Sequence, residues 1–243
     1  MASRSSWLPP DLGERLPGPE LMDTARDVSD AEHADMLAQL AQINRRLGGH
    51  ATTRRALDDL LARAGGPPRD WTILDAGGGS GDAAPEMIAW GRARGVGVQV
   101  TVLDRDSRAA RAAAERLAST AGAFVKQGDL FEIPEASFDV VHASLFLHHF
   151  DGDEAAEALR WMAAIARVGV VVNDLRRERL PWTLIRWLTG AFSRNRLIRY
   201  DAPLSVARAF TVDDWDALGV AAGLDLVARR TWAWRWAVSG MRR

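Results

Sequence analysis

The stretch "ILDAGGGSGD", residues 73–82, places four glycines within five positions, directly after an apolar run and an acid. The residues "WTILD" (71–75) predict a buried strand, and residues 83–94 predict a helix. A strand that ends in closely spaced glycines and leads into a helix is typical of a nucleotide-type site. Glycine allows a sharp turn and lets a ligand approach the backbone, and the start of the helix offers free N–H groups.

Three kinds of ligand compete for such a loop. A phosphate-binding loop of the ATPase kind needs a Lys-Ser or Lys-Thr pair after the glycines, but Gly81 is followed by Asp82. The dinucleotide fingerprint needs a third glycine three residues after the second, and Asp82 again occupies that position. A carboxylate there would repel a pyrophosphate. The loop therefore favours a ligand without a phosphate.

Strands and helices alternate on the C-terminal side of the loop. Strands are predicted at 98–104 and 123–129, within 137–147 and at 168–174, with helices at 108–118 and 153–166. This alternation predicts a parallel sheet that is covered by helices on both sides. Two helices precede the sheet and end at "GGPP" (65–68), and helices at 180–193 and 211–223 follow it. A closing β-hairpin is expected to place Trp232, Trp234, Trp236 and Val238 on one face.

The glycine stretch carries a family resemblance. Residues 75–81 resemble the acid-x-Gly-x-Gly-x-Gly motif of class I S-adenosylmethionine (SAM)-dependent methyltransferases. SAM contains no phosphate, so acids beside the loop are compatible with it. Asp104 ends the second strand, Asp129 follows the third, and "SFDVVHASLFLHHF" (137–150) is similar to the family's fourth-strand segment. The resemblance covers residues 70–175 well and the rest of the chain loosely.

The resemblance implies a fold and a set of cofactor contacts. The fold is an α/β, Rossmann-like class I methyltransferase fold with a seven-stranded, mostly parallel sheet, an antiparallel last strand and an N-terminal helical lid. The family's acids at these positions bind the ribose hydroxyls (Asp104) and the adenine amino group (Asp129). The implied SAM contacts are Asp75, Gly77, Gly79, Gly81, Asp104, Asp129 and Leu130. The alternative to these ligand contacts is that the acids only cap helices and turns.

Composition and the resemblance together predict three regions. Residues 1–20 are rich in Pro, Ser and Gly and are expected to be loosely ordered. Residues 21–68 would form a helical cap. Residues 69–243 would form the SAM-binding catalytic domain, with an insertion at about 179–211 that serves as a substrate lid.

Catalytic and substrate residues are expected after strands four and five, because ligands of open α/β sheets lie outside the carboxyl ends of the strands. His149 or His148 is the candidate base for the proton of the acceptor, since histidine titrates in the suitable range. An architectural role for the pair is an equal alternative. The expected substrate contacts are Asn173, Asp174, Arg176 and Trp187, although Asp174 equally suits a pair with Arg176.

Three segments, "INRRLGGH" (43–50), "NDLRRERL" (173–180) and "DAPLSVARAFT" (201–211), are together similar to a bacterial subgroup of small-molecule methyltransferases that is distantly related to those of ubiquinone and menaquinone biosynthesis. This similarity implies secondary metabolism and a small hydroxylated aromatic, quinone-like or polyketide acceptor, but it does not decide between methylation at oxygen and at carbon. Oxygen methylation is the leading hypothesis. Carbon methylation of a quinol ring is an alternative that needs the same base. A SAM-binding protein that catalyses a cyclisation or decarboxylation is another, and a nicotinamide oxidoreductase is a weaker one.

Composition excludes several other classes. The formal net charge of −1 gives no general attraction to nucleic acid or anionic membrane, and the absence of cysteine excludes thiolate chemistry and disulfides. No Asp, Glu or His group has an obvious metal-ligand spacing, so no metal is expected. Without a long apolar run or an apolar signal core, the expected location is cytoplasmic. A monomer and a homodimer are both compatible with the sequence.

Overall fold

A computed structural model describes residues 9–66 and 70–243. In these residues one seven-stranded sheet has the order β3-β2-β1-β4-β5-β7-β6. The strands are β1 Trp71–Ala76, β2 Val98–Asp104, β3 Ala123–Gln127, β4 Phe138–Ser144, β5 Ala166–Leu175, β6 Leu224–Thr231 and β7 Arg235–Arg242. Strands β1 to β5 are parallel to one another, whereas β7 runs antiparallel to both of its neighbours, β5 and β6. The predicted fold class, with an antiparallel last strand, is confirmed.

Helices cover both faces of the sheet. The helices are α1 Leu21–Thr24, α2 Asp30–Arg46, α3 Gly49–Arg63, α4 Ala84–Ala93, α5 Ser107–Leu117, α6 Gly152–Ile165, α7 Arg179–Phe192, α8 Arg196–Arg208 and α9 Val212–Ala222. On one face, apolar residues of α3, α4 and α5 pack with Trp71 and Ile73 of β1. On the other face, α6 and α9 pack with Leu74 and Val141. The alternation of β1 between the two layers explains why its apolar run is continuous. None of the helices in the described part of the chain is long and apolar enough to cross a membrane.

The described part of the N-terminal segment is tied to the rest of the protein, unlike the loose order expected for residues 1–20. Arg15 donates hydrogen bonds to the carbonyl oxygens of Arg208 (2.7 Å) and Phe150 (2.8 Å), and the Glu20 side chain is buried. These contacts join residues far apart in sequence, which composition does not reveal. Residues 1–8 lie outside the described residues, as do residues 67–69 at the expected boundary between cap and catalytic domain.

Two further features differ from the expectations. The sequence does not predict helix α8, because a proline such as Pro203 usually marks the end of a helix rather than its interior. The helix begins after Asn195, whose side chain accepts hydrogen bonds from the N–H groups of Leu197 and Ile198. In the closing hairpin, residues 232–234 form the turn. Trp232 is exposed and Trp234 has a positive φ of 53°, so the prediction that both share a strand face with Trp236 was wrong.

A close approach between β5 and β7 depends on glycine. A Cβ atom on Gly169 would overlap the carbonyl oxygen of Gly240 and lie 2.8 Å from Leu60 Cδ1. A Cβ on Gly240 would lie 2.7 Å from Val170 Cγ2. The antiparallel addition of β7 to the parallel sheet therefore uses two positions at which only glycine fits.

We expect Gly169→Ala to lower the free energy of unfolding by about 1–3 kcal/mol, because the methyl group has no space and the strands must move apart. Gly190→Ala is the matched control, since a Cβ there meets nothing within 4 Å and alanine favours the helix by up to about 1 kcal/mol. Urea unfolding of both variants measures the difference. Equal midpoints would contradict the close packing of β5 and β7.

Candidate active site

A cavity of about 1090 Å³ lies at the carboxyl ends of β1, β2 and β4. This volume lies at the upper end of the ~300–1,000 Å³ range that is typical of ligand sites. We call its two parts the glycine-loop end, lined by Asp75, residues 77–79, Asp104, residues 129–131 and Arg235, and the histidine end, lined by Glu20, Asp23, His148, His149, Phe150 and residues of α7.

Three of the four loop glycines share a left-handed backbone conformation but differ in their surroundings. Gly77, Gly79 and Gly81 have φ values of 63°, 54° and 71°, a region that favours glycine. A Cβ on Gly77 would overlap the ring of Phe146, and one on Gly81 would lie 2.8 Å from Leu117 Cδ1. A Cβ on Gly79 would meet only Leu37, at 3.7 Å, and would otherwise project into the cavity. Gly77 and Gly79 line the cavity, whereas Gly81 lies behind the loop, against α5.

Asp75 has one oxygen bound and one without a partner. Its Oδ1 lies 2.7 Å from Nδ1 of His142, whose Nε2 lies 3.0 Å from Thr53 Oγ1. Its Oδ2 is buried and has no hydrogen-bond partner among the described residues. Buried acceptors are normally satisfied, so Oδ2 suits a donor that a ligand brings. Sequence reasoning missed His142, although a histidine within the apolar run of a buried strand signals a buried partner.

Asp104 holds the loop against β2. Its carboxylate accepts hydrogen bonds from Gly79 N–H and Asp106 N–H, both at 2.9 Å. Burial raises the pKa of Asp104, and these two bonds counteract the shift only in part. Asp129 accepts from Phe131 N–H at 2.9 Å and caps the 3₁₀ turn Leu130–Glu132. Asp104, Asp129 and Leu130 all line the cavity, where the resemblance placed the cofactor.

Arg235 is a second residue that sequence reasoning missed. Its buried guanidinium donates to Asn173 Oδ1 (3.2 Å), Asn44 Oδ1 (3.1 Å) and the Leu47 carbonyl (3.1 Å). Burial lowers the pKa of Arg235 to about 10, although the negative charges of Asp174 and Asp82 act to raise it. Arg235 is therefore charged at neutral pH. No carboxylate in the described ranges lies within ion-pair distance of it, which favours an anionic group on a ligand.

His148 is fully enclosed between two carboxylates. Its Nδ1 lies 2.6 Å from Asp174 Oδ1, and its Nε2 lies 3.4 Å from Glu20 Oε1. Burial lowers the pKa of His148, but the charges and hydrogen bonds of Asp174 and Glu20 outweigh burial and raise the pKa to about 10. Burial likewise raises the pKa of Glu20 and Asp174, and His148 reverses that shift, so both are charged.

His149 lies beside His148 and is open to the cavity. The two rings stack with centroids 4.7 Å apart, and 19% of the His149 side chain is exposed. Its Nδ1 lies 2.8 Å from Asp23 Oδ2, and its Nε2 lies 3.7 Å from Glu20 Oε2. Arg208, itself buried, donates to the carbonyl oxygens of both histidines at 2.9 and 2.8 Å and fixes their backbone. Sequence reasoning missed Glu20 and Asp23.

The four expected substrate contacts do not line the cavity. Asn173 is buried and donates to Ser144 Oγ and the Gly49 carbonyl, and Asp174 pairs with His148 rather than with Arg176. Arg176 pairs with Glu178. Trp187 points to the surface, where it packs on Phe192. Because α7 turns about 100° per residue, the neighbouring positions face the cavity instead; these are Ile185, Leu188, Thr189 and Phe192.

Comparisons with known proteins place the chain in a family. A family profile described as "Methyltransferase domain" matches residues 49–228. No curated protein matches the sequence. A solved structure of human N-acetylserotonin methyltransferase in complex with SAM shares 16% identity and a TM-score of 0.63, over 90% of this chain and 60% of that one. This chain therefore spans about three fifths of the human enzyme.

Two further structures share the fold. An O-methyltransferase family protein from Burkholderia thailandensis has 16% identity and a TM-score of 0.60, over 88% of this chain and 61% of that one. The CMeT domain of the citrinin polyketide synthase has 14% identity and a TM-score of 0.53, over 73% of this chain and 47% of that one. The profile match extends over most of the sequence, from α3 into β6. The chain belongs to the methyltransferase domain family.

Proposed function

We propose that the chain is a SAM-dependent methyltransferase that methylates a hydroxyl group of a small aromatic, quinone-like or polyketide acceptor, with His149 as the general base. The observation that carries this proposal is a cavity that is lined both by the glycine loop and by the half-buried His149, which pairs with the Asp23 carboxylate. The proposal includes a role in secondary metabolism, a cytoplasmic location, and a monomer or homodimer.

The residues of the glycine-loop end fit SAM group by group. Asp104 would bind the ribose hydroxyls, and Asp129 with Leu130 the adenine. The amino acid tail of SAM is a zwitterion, and the loop end offers both complementary charges: the unpartnered Oδ2 of Asp75 for the ammonium and Arg235 for the carboxylate. SAM supplies a methyl group that its sulfonium already activates. The residues of this chain therefore need only to bind, orient and accept a proton.

His149 is better placed than His148 to accept that proton. Asp23 accepts a bond from Nδ1–H of His149, which leaves Nε2 as the basic atom at the cavity. The proton of the acceptor hydroxyl would move to Nε2, and Asp23 would stabilise the imidazolium that forms. His148 is buried, with Nδ1 2.6 Å from Asp174 and Nε2 facing Glu20 at 3.4 Å, so we assign it a positioning role beneath the ring of His149.

The lining of the histidine end suits a flat, apolar acceptor. The rings of Phe146 and Phe150 meet edge to face with centroids 5.1 Å apart, and α2 and α7 add apolar side chains. Carbon methylation of a quinol would use the same base, and NMR of the product distinguishes the two. A SAM-binding protein with non-methylating chemistry would bind SAM without forming S-adenosylhomocysteine (SAH).

Gly79→Ala should weaken SAH binding at least tenfold, because its methyl group projects into the cavity. The control is Gly95→Ala, where φ is 70° and a Cβ meets nothing within 4 Å. Both variants carry the same left-handed strain of about 1–2 kcal/mol, so only the first should change the Kd in isothermal titration. Unchanged affinity in Gly79→Ala would show that the cofactor does not lie on the loop.

Arg235→Lys should lower the affinity for SAH by about 10–100-fold, as expected for a lost charged hydrogen bond of ~1.5–3 kcal/mol. The affinity for 5′-methylthioadenosine, which lacks the amino acid tail, should stay constant. Titration with both ligands separates recognition of the tail from general damage to the site. An equal loss for both ligands would contradict the assignment of Arg235.

His149→Gln should slow methyl transfer to naphthols and quinols by about 10²–10⁴-fold, the range for a lost general base, without changing SAH affinity. Mass spectrometry of product and SAH gives the rate. His50→Gln removes another imidazole paired with a carboxylate, Asp82 at 2.8 Å, and should keep the rate. A wild-type rate in His149→Gln would restrict the histidine pair to an architectural role.

A further inference from the structure

We propose that Glu20, His148 and His149 form a binding site for Zn²⁺ or a similar divalent transition-metal cation. We further propose that the bound cation prevents His149 from acting as the general base. The inhibition rests on the proposed function, whereas the metal site does not. Among the described residues these three side chains offer one ligand atom each, all within 4.8 Å of one another. They come from the N-terminal segment and from the turn after β4.

The ligand atoms converge on one carboxylate. Nε2 of His148 lies 3.4 Å from Glu20 Oε1, and Nε2 of His149 lies 3.7 Å from Glu20 Oε2. Charge-assisted hydrogen bonds of this type are shorter, at ~2.7–2.9 Å. Metal–ligand bonds of ~2.0–2.1 Å at tetrahedral angles place neighbouring ligand atoms about 3.3 Å apart. The observed separations are close to that spacing.

Each histidine also has the support that a metal ligand normally has. His148 presents its other nitrogen to Asp174 at 2.6 Å, and His149 presents its other nitrogen to Asp23 at 2.8 Å. A carboxylate on the far nitrogen fixes the tautomer and ring orientation and makes the ligating nitrogen more basic. Both histidine–carboxylate pairs therefore direct Nε2 of the histidine toward Glu20. An ion pair between Glu20 and one histidine would need only one such arrangement.

The charges of the cluster also permit a cation. The carboxylates of Glu20, Asp23 and Asp174 surround the two imidazoles. Arg105 lies 3.5 Å from Asp23 and offsets the charge of that carboxylate. The other two carboxylates, Glu20 and Asp174, are buried, so a divalent cation held by the two imidazoles would compensate their charges.

The donor set indicates the class of metal. Two imidazoles and a carboxylate without a thiolate suit zinc and neighbouring late transition metals rather than magnesium or calcium, which prefer oxygen ligands. All three ligands line the cavity, so a cation has an entry path and keeps an open position toward the acceptor. A cation on Nε2 of His149 occupies the lone pair that would take the acceptor's proton. Zn²⁺ is thus expected to inhibit methyl transfer reversibly.

The test measures metal binding without an acceptor. The full chain, stripped with a chelator, is titrated with Zn²⁺ by calorimetry, and Co²⁺ is used as a spectroscopic probe of coordination. We expect one Zn²⁺ per chain and a visible Co²⁺ band. His149→Gln and Glu20→Gln should weaken Zn²⁺ binding by more than tenfold, and Asp23→Asn by about 10–100-fold, as typical for a supporting carboxylate. SAH titration of each variant checks that it is folded.

His50→Gln serves as the control, because it removes a histidine paired with a carboxylate outside the cluster and should retain the metal. Absence of stoichiometric Zn²⁺, or equal binding by His149→Gln and Glu20→Gln, would overturn the site. If Zn²⁺ binds but methyl transfer is unchanged, the proposed inhibition is wrong. If the His149→Gln variant loses Zn²⁺ but still transfers methyl groups, the metal site is supported and the assignment of His149 as the general base is wrong.

Discussion

The buried pair of His148 and Asp174 holds the histidine end of the cavity together. It joins the turn after β4 to the end of β5 at 2.6 Å, with both side chains excluded from solvent. Glu20 adds the N-terminal segment from the other side of the imidazole, and Ser205 of α8 donates to Glu20 at 2.6 Å. Removal of one partner of a buried pair costs about 3–5 kcal/mol, since the other charge is left uncompensated. The position of His149 depends on this arrangement.

The glycine-loop end is predictable from sequence because its determinants are local. The four glycines follow a strand of mostly buried residues, Asp104 is the last residue of β2, and Asp129 comes two residues after the end of β3. Parallel strands bring their carboxyl ends to one edge of the sheet, so the order of the strands alone predicts that Asp104 and Asp129 line the same cavity. The Gly79 N–H bond to Asp104 is the direct result of that geometry.

The histidine end is not predictable in the same way, because its partners are distant in sequence. Glu20 lies in a segment whose composition indicates loose order. Arg235 is the exception at the glycine-loop end, because it lies in a tryptophan-rich strand far from the loop in sequence. Asn173 and Asp174 are next to each other in β5, but their partners are Ser144 and His148, which tertiary packing alone decides. Amphipathic spacing identifies α7 as a surface helix, yet it does not say whether Trp187 or Leu188 faces the cavity.

The distribution of charge between the two ends restricts what each one binds. At the glycine-loop end, an acceptor without a partner lies in the same cavity as a guanidinium without a carboxylate, so a zwitterion satisfies both. At the histidine end, the three carboxylates of Glu20, Asp23 and Asp174 are opposed by two positive charges, the protonated His148 and Arg105, which lies 3.5 Å from Asp23. An acceptor that enters with a carboxylate or phosphate would be repelled there, and the field would oppose a phenolate until its proton has an acceptor. A neutral hydroxylated ring would meet neither penalty, because under the proposed function its proton would move to His149 only as the new bond forms.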